Sequence, residues 1–241
     1  MILTLPFAPA ALASFLCLAL QDPKPAPVVN PALVPVARTE VWAIERQNEV
    51  LRRARSTEKA AVLFLGDSIT QGWEGDGATV WQKQIAPLGA LNLGVSGDRT
   101  EHVLWRLQQA PITHLEPKVI VLLIGTNNLG NTGCSAEQTL AGVLAVIASL
   151  RTQAPKALLL VHEIFPRGER MNPLRGDILQ VNQVLRRHAG PSTRVLGFSD
   201  MWVQEDGTIR AETMPDFLHL SPAGYEQWGA ALVPELRAAL K

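Results

Sequence analysis

Apolar residues in this chain fall into two patterns. Short, nearly continuous runs occur at Ala61–Leu65, Ala90–Leu93, Val119–Ile124, Ala157–Val161 and Arg194–Phe198. Between them, apolar residues recur every three or four positions. The runs predict strands, and their continuity, without polar alternation, predicts a parallel sheet covered on both faces. The periodic segments predict helices over Thr39–Arg55, Thr100–Gln109, Ser135–Arg151 and Leu174–Arg187. Val41, Trp42, Ile44 and Leu51 are the expected docking face of the first. Ser135 with Gln138 forms a capping box for the third. Ser221-Pro222 supplies an N-cap and a proline at the first position of a last helix, which Pro234 is expected to break or kink. Strands alternating with helices predict an α/β fold: a three-layer sandwich around a five-stranded parallel, flavodoxin-like sheet, with helices on both faces. Such sheets bind ligands beyond the C-terminal ends of their strands.

The start of the chain departs from this pattern. Residues 1–21 carry no charged side chain and are largely apolar, but the stretch is short and is interrupted by Pro6 and Pro9. It reads as a signal peptide, not a membrane span, and implies export to the periplasm or beyond. Residues 22–37 hold Pro23, Pro25, Pro27, Pro31 and Pro35 and read as an extended spacer. The folded domain is therefore expected over 38–241. Lys and Arg together number 22, as do Asp and Glu, so the net charge is zero and nothing marks a nucleic-acid surface. Of the cysteines, Cys17 and Cys134, only the second outlasts removal of the leader, which leaves no internal disulfide.

Polar residues cluster just after the apolar runs. Gly66-Asp67-Ser68-Ile69-Thr70 follows the first. A serine there, at the start of a helix, can attack a carbonyl while its own N–H meets the developing oxyanion; Ser68 or Asp67 can equally be a simple helix cap. Gly97 follows the second run, as an unobstructed backbone donor or a turn glycine. Asn127 follows the third, as a side-chain oxyanion donor or an Asx-turn. Near the end, Asp216 stands three residues before His219. The carboxylate can then hold one ring nitrogen while the other takes a proton from serine; a cap and an unrelated surface histidine are the alternative. Arg167, Arg170 and Arg175 either line the site mouth or sit in a solvated loop. Trp73, Trp81 and Trp105 suit the core better than a pocket. His102, His114, His162 and His188 lack metal-ligand spacing, so no metal site and no cofactor are expected.

Taken together and in order, GDSIT at 66–70, Gly97, the asparagine of GTNN and Asp216–His219 resemble the four signature blocks of SGNH/GDSL hydrolases. NLGVSGDRTEHVLWRL at 92–107, Pro166-Arg167-Gly168, NPLR at 172–175 and FLHLS at 217–221 are similar to the platelet-activating factor acetylhydrolase type Ib branch and its bacterial relatives. Ser96, where that branch is expected to have glycine, is a departure. The resemblance implies Ser68, Asp216 and His219 as a catalytic triad, and Ser68, Gly97 and Asn127 as an oxyanion hole. It implies a cofactor-free carboxylic ester hydrolase acting through an acyl-enzyme on a small ester, an acetylated lipid or sugar. Thr70 stands where a G-x-S-x-G elbow would have its second glycine, which excludes that neighbouring class. Ile69, Thr126 and Leu218, each beside a site residue, are expected to wall a small acyl pocket. A secreted carbohydrate deacetylase or a lysophospholipase would share the triad. A non-catalytic glycan- or lipid-binding module would normally have lost Ser68 or His219. A homodimer stays open.

Overall fold

The computed structural model describes residues 29–241. The expected signal peptide, and the spacer up to residue 28, lie outside the described residues. Five strands, β1 (Val62–Gly66), β2 (Ala90–Asn92), β3 (Val119–Leu123), β4 (Leu158–His162) and β5 (Thr193–Leu196), form one sheet in the order β2-β1-β3-β4-β5, with every pairing parallel. This is the expected flavodoxin-like order, whose direction of winding reverses between β1 and β3. Each strand sits within a residue or two of its expected place. The largest difference is at β5, which ends at Leu196, two residues before Phe198; it is an edge strand, held by β4 alone.

The continuous apolar runs have the cause inferred from the sequence. Alternate residues of each central strand enter opposite cores. Leu63, Leu65, Ile120 and Leu122 pack on the face covered by α1 (Val41–Ser56), α3 (Thr100–Gln109) and α5 (Ala136–Gln153). Val62, Phe64, Val121 and Leu123 pack on the other, against α7 (Pro222–Ala239) and the aromatic group Trp73, Tyr225 and Trp228. Burying residues of both parities is what removes the alternation. Trp73 is wholly buried in that core, and Trp81 and Trp105 are partly buried against one core each. A short helix, α2 (Ser68–Gln71), follows β1; α4 (Thr126–Thr132) follows β3; and α6 (Pro173–Leu185) precedes β5.

Three local expectations are corrected. Of the break or kink expected at Pro234, the break is ruled out: α7 continues through it to Ala239. The carbonyl that proline leaves unpaired belongs to exposed Ala230, which water can reach, and Trp228, Leu232 and Leu236 anchor the helix on both sides. In α1, Val41 and Trp42 do not dock: they are 83% and 61% exposed, and the inward face is Ala43, Gln47, Val50, Leu51 and Ala54. The helix also starts two residues late, at Val41, with Glu40 at the cap position and its carboxylate paired with Arg38.

Packing also begins before Arg38, inside the stretch expected to be spacer. Asn30 caps a helical turn at Pro31–Leu33, and its amide donates to the carbonyl of Gln138 on α5. Ala32 is fully buried, with its carbonyl accepting from Thr100 Oγ1 at 2.8 Å, and Val36 N–H donates to the carbonyl of Glu101. Residues 30–38 thus form a strap across α3 and α5. Proline density suits an extended strap as well as a free spacer, because both avoid helix.

Candidate active site

The site grows from the C-terminal ends of β1, β2 and β3 and from the loop before α7. After β1 the chain turns directly into α2. A Cβ on Gly66 would lie 2.2 Å from Thr70 Oγ1 and 2.3 Å from the carbonyl of Leu123, so the turn requires glycine. Asp67 caps α2, accepting from Ile69 N–H at 3.0 Å. Ser68 is thereby free of the capping role and stands half-buried at the first helical position. Burial pushes the Asp67 carboxyl up to about 7, against the hydrogen bond from Ile69, and its second oxygen finds no partner among the described residues.

The segment between Met214 and Leu220, both buried, brings the other two members. Phe217 adopts a left-handed conformation, φ 58°, which folds the stretch into a tight turn; its carbonyl accepts from Gly168 N–H at 2.8 Å. Within the turn, Asp216 Oδ1 accepts from the N–H groups of Leu218 (3.1 Å) and His219 (2.7 Å), and Asp216 Oδ2 lies 2.6 Å from His219 Nδ1. Burial raises the Asp216 carboxyl, but the hydrogen bonds from His219 and Leu218 and the imidazole beside it outweigh that and hold it below the usual range. An ionised carboxylate only accepts, so Nδ1 carries the proton and Nε2 is left to accept from Ser68 Oγ, 2.8 Å away. The three residues form one hydrogen-bonded line, in which a hydroxyl can give its proton to an imidazole held in the right tautomer.

Gly97, on the loop after β2, and Asn127, in the first turn of α4, are tied together. Gly97 has φ +73°, and its neighbour Asp98 is fully buried. The Asp98 carboxylate pairs with Arg38, at 3.2 Å, and with Arg106; Arg38 Nη1 also donates to the carbonyl of Ser96 at 2.7 Å. Asn127 Nδ2 donates to the carbonyl of Asp98 at 2.9 Å, and its Oδ1 accepts from Asn131 at 3.1 Å. One amide N–H is thus committed to the loop, and an amide nitrogen has two. Gln71 Oε1 accepts from Ser96 N–H at 2.7 Å and closes the ring of contacts around Gly97.

Of the three arginines, Arg167 reaches the site rim, near the carbonyl of Thr126 and Asn131 Oδ1. Arg175 is buried and ties the carbonyls of Gly168 and Gly207, a structural role. Arg170 points to solvent beside Glu169. Ile69 is corrected as an acyl wall: it is 1% exposed and packs in the core. The open space beside Ser68 is a cleft of about 410 Å³ bordered by Gln71, Gly72, Glu74, Ser96 and His219. Among the described residues no group of three or more His, Cys, Asp or Glu could hold a metal ion. Neither is any helix there long and apolar enough to cross a membrane.

Sequence reasoning missed Arg38, Gln71 and the ion cluster around Asp98. One signal was available: Arg106 lies on the same helical face as Val103 and Leu107, and a charge on an apolar face calls for a buried partner.

Residues 64–227 match the model of the GDSL-like Lipase/Acylhydrolase family. The chain is 38% identical over 202 residues to platelet-activating factor acetylhydrolase IB subunit alpha2 of Gallus gallus, covering 81% of this chain and 86% of that one. It is 39% identical over 201 residues to the alpha1 subunit of Homo sapiens, covering 81% and 85%. Among solved structures, a GDSL-like lipase from Bacteroides thetaiotaomicron superposes with a TM-score of 0.67 at 19% identity, covering 82% of this chain and 98% of that one. An acetylxylan esterase from Geobacillus stearothermophilus gives 0.58 at 18% identity, covering 76% and 96%. These two likenesses speak for the fold.

Proposed function

The chain belongs to the GDSL-like lipase/acylhydrolase family and is a carboxylic ester hydrolase, and from that premise we propose that it removes short acyl groups, acetyl above all, through an acyl-enzyme on Ser68. The observation that carries this reading is the unbroken line from Ser68 Oγ through His219 to Asp216. In the proposed reaction Ser68 Oγ attacks the ester carbonyl as its proton passes to His219 Nε2. Asp216 holds the imidazolium that forms. His219 then gives the proton to the leaving alcohol. Water attacks the acyl-enzyme with His219 as base, and the acid leaves. The oxyanion is met by the N–H groups of Ser68 and Gly97 and by the second amide N–H of Asn127.

The preference for short acyl groups is supported by acetylhydrolases among the relatives and by the polar Gln71, Glu74, Asp76 and Ser96 on the border of the cleft beside Ser68. Export is part of the same proposal, supported by the uncharged, apolar first 21 residues; the N-terminal residue of the protein purified from its native host tests it. The catalytic reading is tested by turnover of an aryl acetate and by an organofluorophosphonate probe. Ser68→Ala should abolish both turnover and labelling. Labelling of a different serine, or an active Ser68→Ala protein, would sink it.

A further inference from the structure

Trp42 is the large aromatic side chain that the packing of this domain leaves most in the open. It sits at the second position of α1, 61% exposed, and its ring lies over the Arg38 guanidinium, 4.8 Å from ring centre to Cζ. Its far edge comes up to Gly97: a Cβ there would be 2.9 Å from the Trp42 ring. Arg38 thus holds the indole from one side, with its side chain 1% exposed, while the rest of the ring faces solvent. An open aromatic ring fixed in place this close to the oxyanion loop is costly to leave wet, since indole is one of the larger apolar surfaces a protein owns.

Beside it runs a groove of about 590 Å³ bordered by Trp42, Glu45, Asn48, Arg52 and Gln71. Gln71 also borders the cleft at Ser68, so groove and cleft share a wall. Every bordering side chain except Trp42 is polar, and both signs of charge are present. A fatty chain would have only the one ring of Trp42 to bury against there. A strongly charged ligand would meet as much repulsion as attraction. A ligand with a flat apolar face and a hydroxyl-rich rim would meet a ring to stack on and carboxylate, amide and guanidinium groups to pair with.

We propose that this groove is a carbohydrate subsite. A sugar ring stacks on Trp42 while the next unit along the same glycan presents its O-acetyl group to Ser68. This rests on the esterase reading above and extends it, by making the leaving group a sugar hydroxyl of an oligosaccharide. The alcohol released at the first step is then the deacetylated glycan, which departs along the groove after taking the proton from His219.

The test uses the full chain, the acetylated forms of xylotriose, cellotriose and mannotriose, the matching acetylated monosaccharides, and an aryl acetate. The wild-type protein should show a lower KM for at least one trisaccharide than for its monosaccharide. Trp42→Ala should lower the ratio of kcat/KM on that trisaccharide to kcat/KM on the aryl acetate about tenfold. Trp42→Phe, which keeps a stacking face, should restore most of it. Because the readout is a ratio, a general loss of folding or of oxyanion geometry cancels. No preference for any trisaccharide over its monosaccharide, or a ratio unmoved in Trp42→Ala, overturns the subsite. So does sedimentation showing a dimer that dissociates in Trp42→Ala, which would make the ring a contact between copies. A protein that turns over no ester at all fails the esterase reading instead. In that case binding of unacetylated xylotriose, cellotriose or mannotriose, weakened in Trp42→Ala, still supports the groove, and the same affinity in both proteins overturns it.

Discussion

Arg38 and Asp98 form an ion pair, 3.2 Å apart, in which neither side chain is more than 1% exposed. It joins the N-terminal strap to the loop that carries Gly97. A buried carboxylate loses several kcal/mol of hydration, and here two arginines, Arg38 and Arg106, set their attraction against that loss.

Arg38→Ala should therefore cost both stability and turnover. Removing one partner of a buried pair typically costs about 3–5 kcal/mol, and the remaining Arg106 argues for the lower end. For a domain of this size that corresponds to a melting point lower by about 6–12 °C. Arg194→Ala, which breaks an exposed pair with Glu235, should cost under about 1 kcal/mol. Since Arg38 holds the Ser96 carbonyl as well, kcat on an aryl acetate should fall about tenfold or more with KM little changed, and Arg38→Lys should recover part of it. Equal effects of the two alanine substitutions on melting would refute the account.

Asn127→Ala should lower kcat by about 10²–10³-fold with KM nearly constant, the usual loss for one oxyanion donor. A rise in KM alone would mean that Asn127 holds the ground-state ester.

Two buried groups set opposite limbs of the stability profile. Burial pushes the Asp67 carboxyl up to about 7. Between the unfolded value near 3.8 and that figure the folded state holds the extra proton, so the contribution of Asp67 is complete at low pH and is lost as pH rises through about 7. Asp67→Asn, which stays neutral, should flatten the decline in melting temperature between about pH 4 and 7. An unchanged slope would mean that the carboxyl is ionised in the folded protein.

His162 works from the acid side. Burial among Phe165, Phe198 and Trp228 lowers its imidazole to about 3. The unfolded chain takes up that proton first, so stability is full above about 6.5 and is lost as pH falls toward 3. His162→Phe should soften the acid limb in a melting series from about pH 7 to 4. A limb as steep as that of the wild type would assign it to other groups.

Acetate esters should be turned over in preference to butyrate, octanoate and palmitate esters of the same alcohol, assayed below micelle formation. Each methylene that does not fit costs on the order of 1–3 kcal/mol in kcat/KM. Octanoate matching acetate would move a lysophospholipase reading ahead.

The sheet was legible because burial on both faces leaves a plain mark, five apolar runs at the right intervals. The meeting of Ser68 with His219 and Asp216 was legible because Ser68 follows the first strand and the other two precede the last helix, where the chain order of such a sheet brings loops to one end. What stayed hidden was whatever depends on contact between remote segments. Nothing local in Arg38 says that it lies beneath Gly97. Nothing in Pro31–Leu33 says that Ala32 fills a site between α3 and α5. Ile69 failed as an acyl wall for the same reason: in a one-turn helix, the position beside the serine faces inward.

The turn from Asp216 to His219 has a bearing on how such a protein changes over generations. In the proposed mechanism the proton acceptor and the group that orients it are encoded in one short stretch, far from the codon for Ser68. Both travel together in any exchange of coding sequence, and a one-codon slip between them disables both at once. The strained Phe217, locked to Gly168, then acts as the spacing gauge of that inherited unit. Variation there should be rarer than at the exposed positions of the neighbouring helix, whatever ester the rest of the cleft comes to accept.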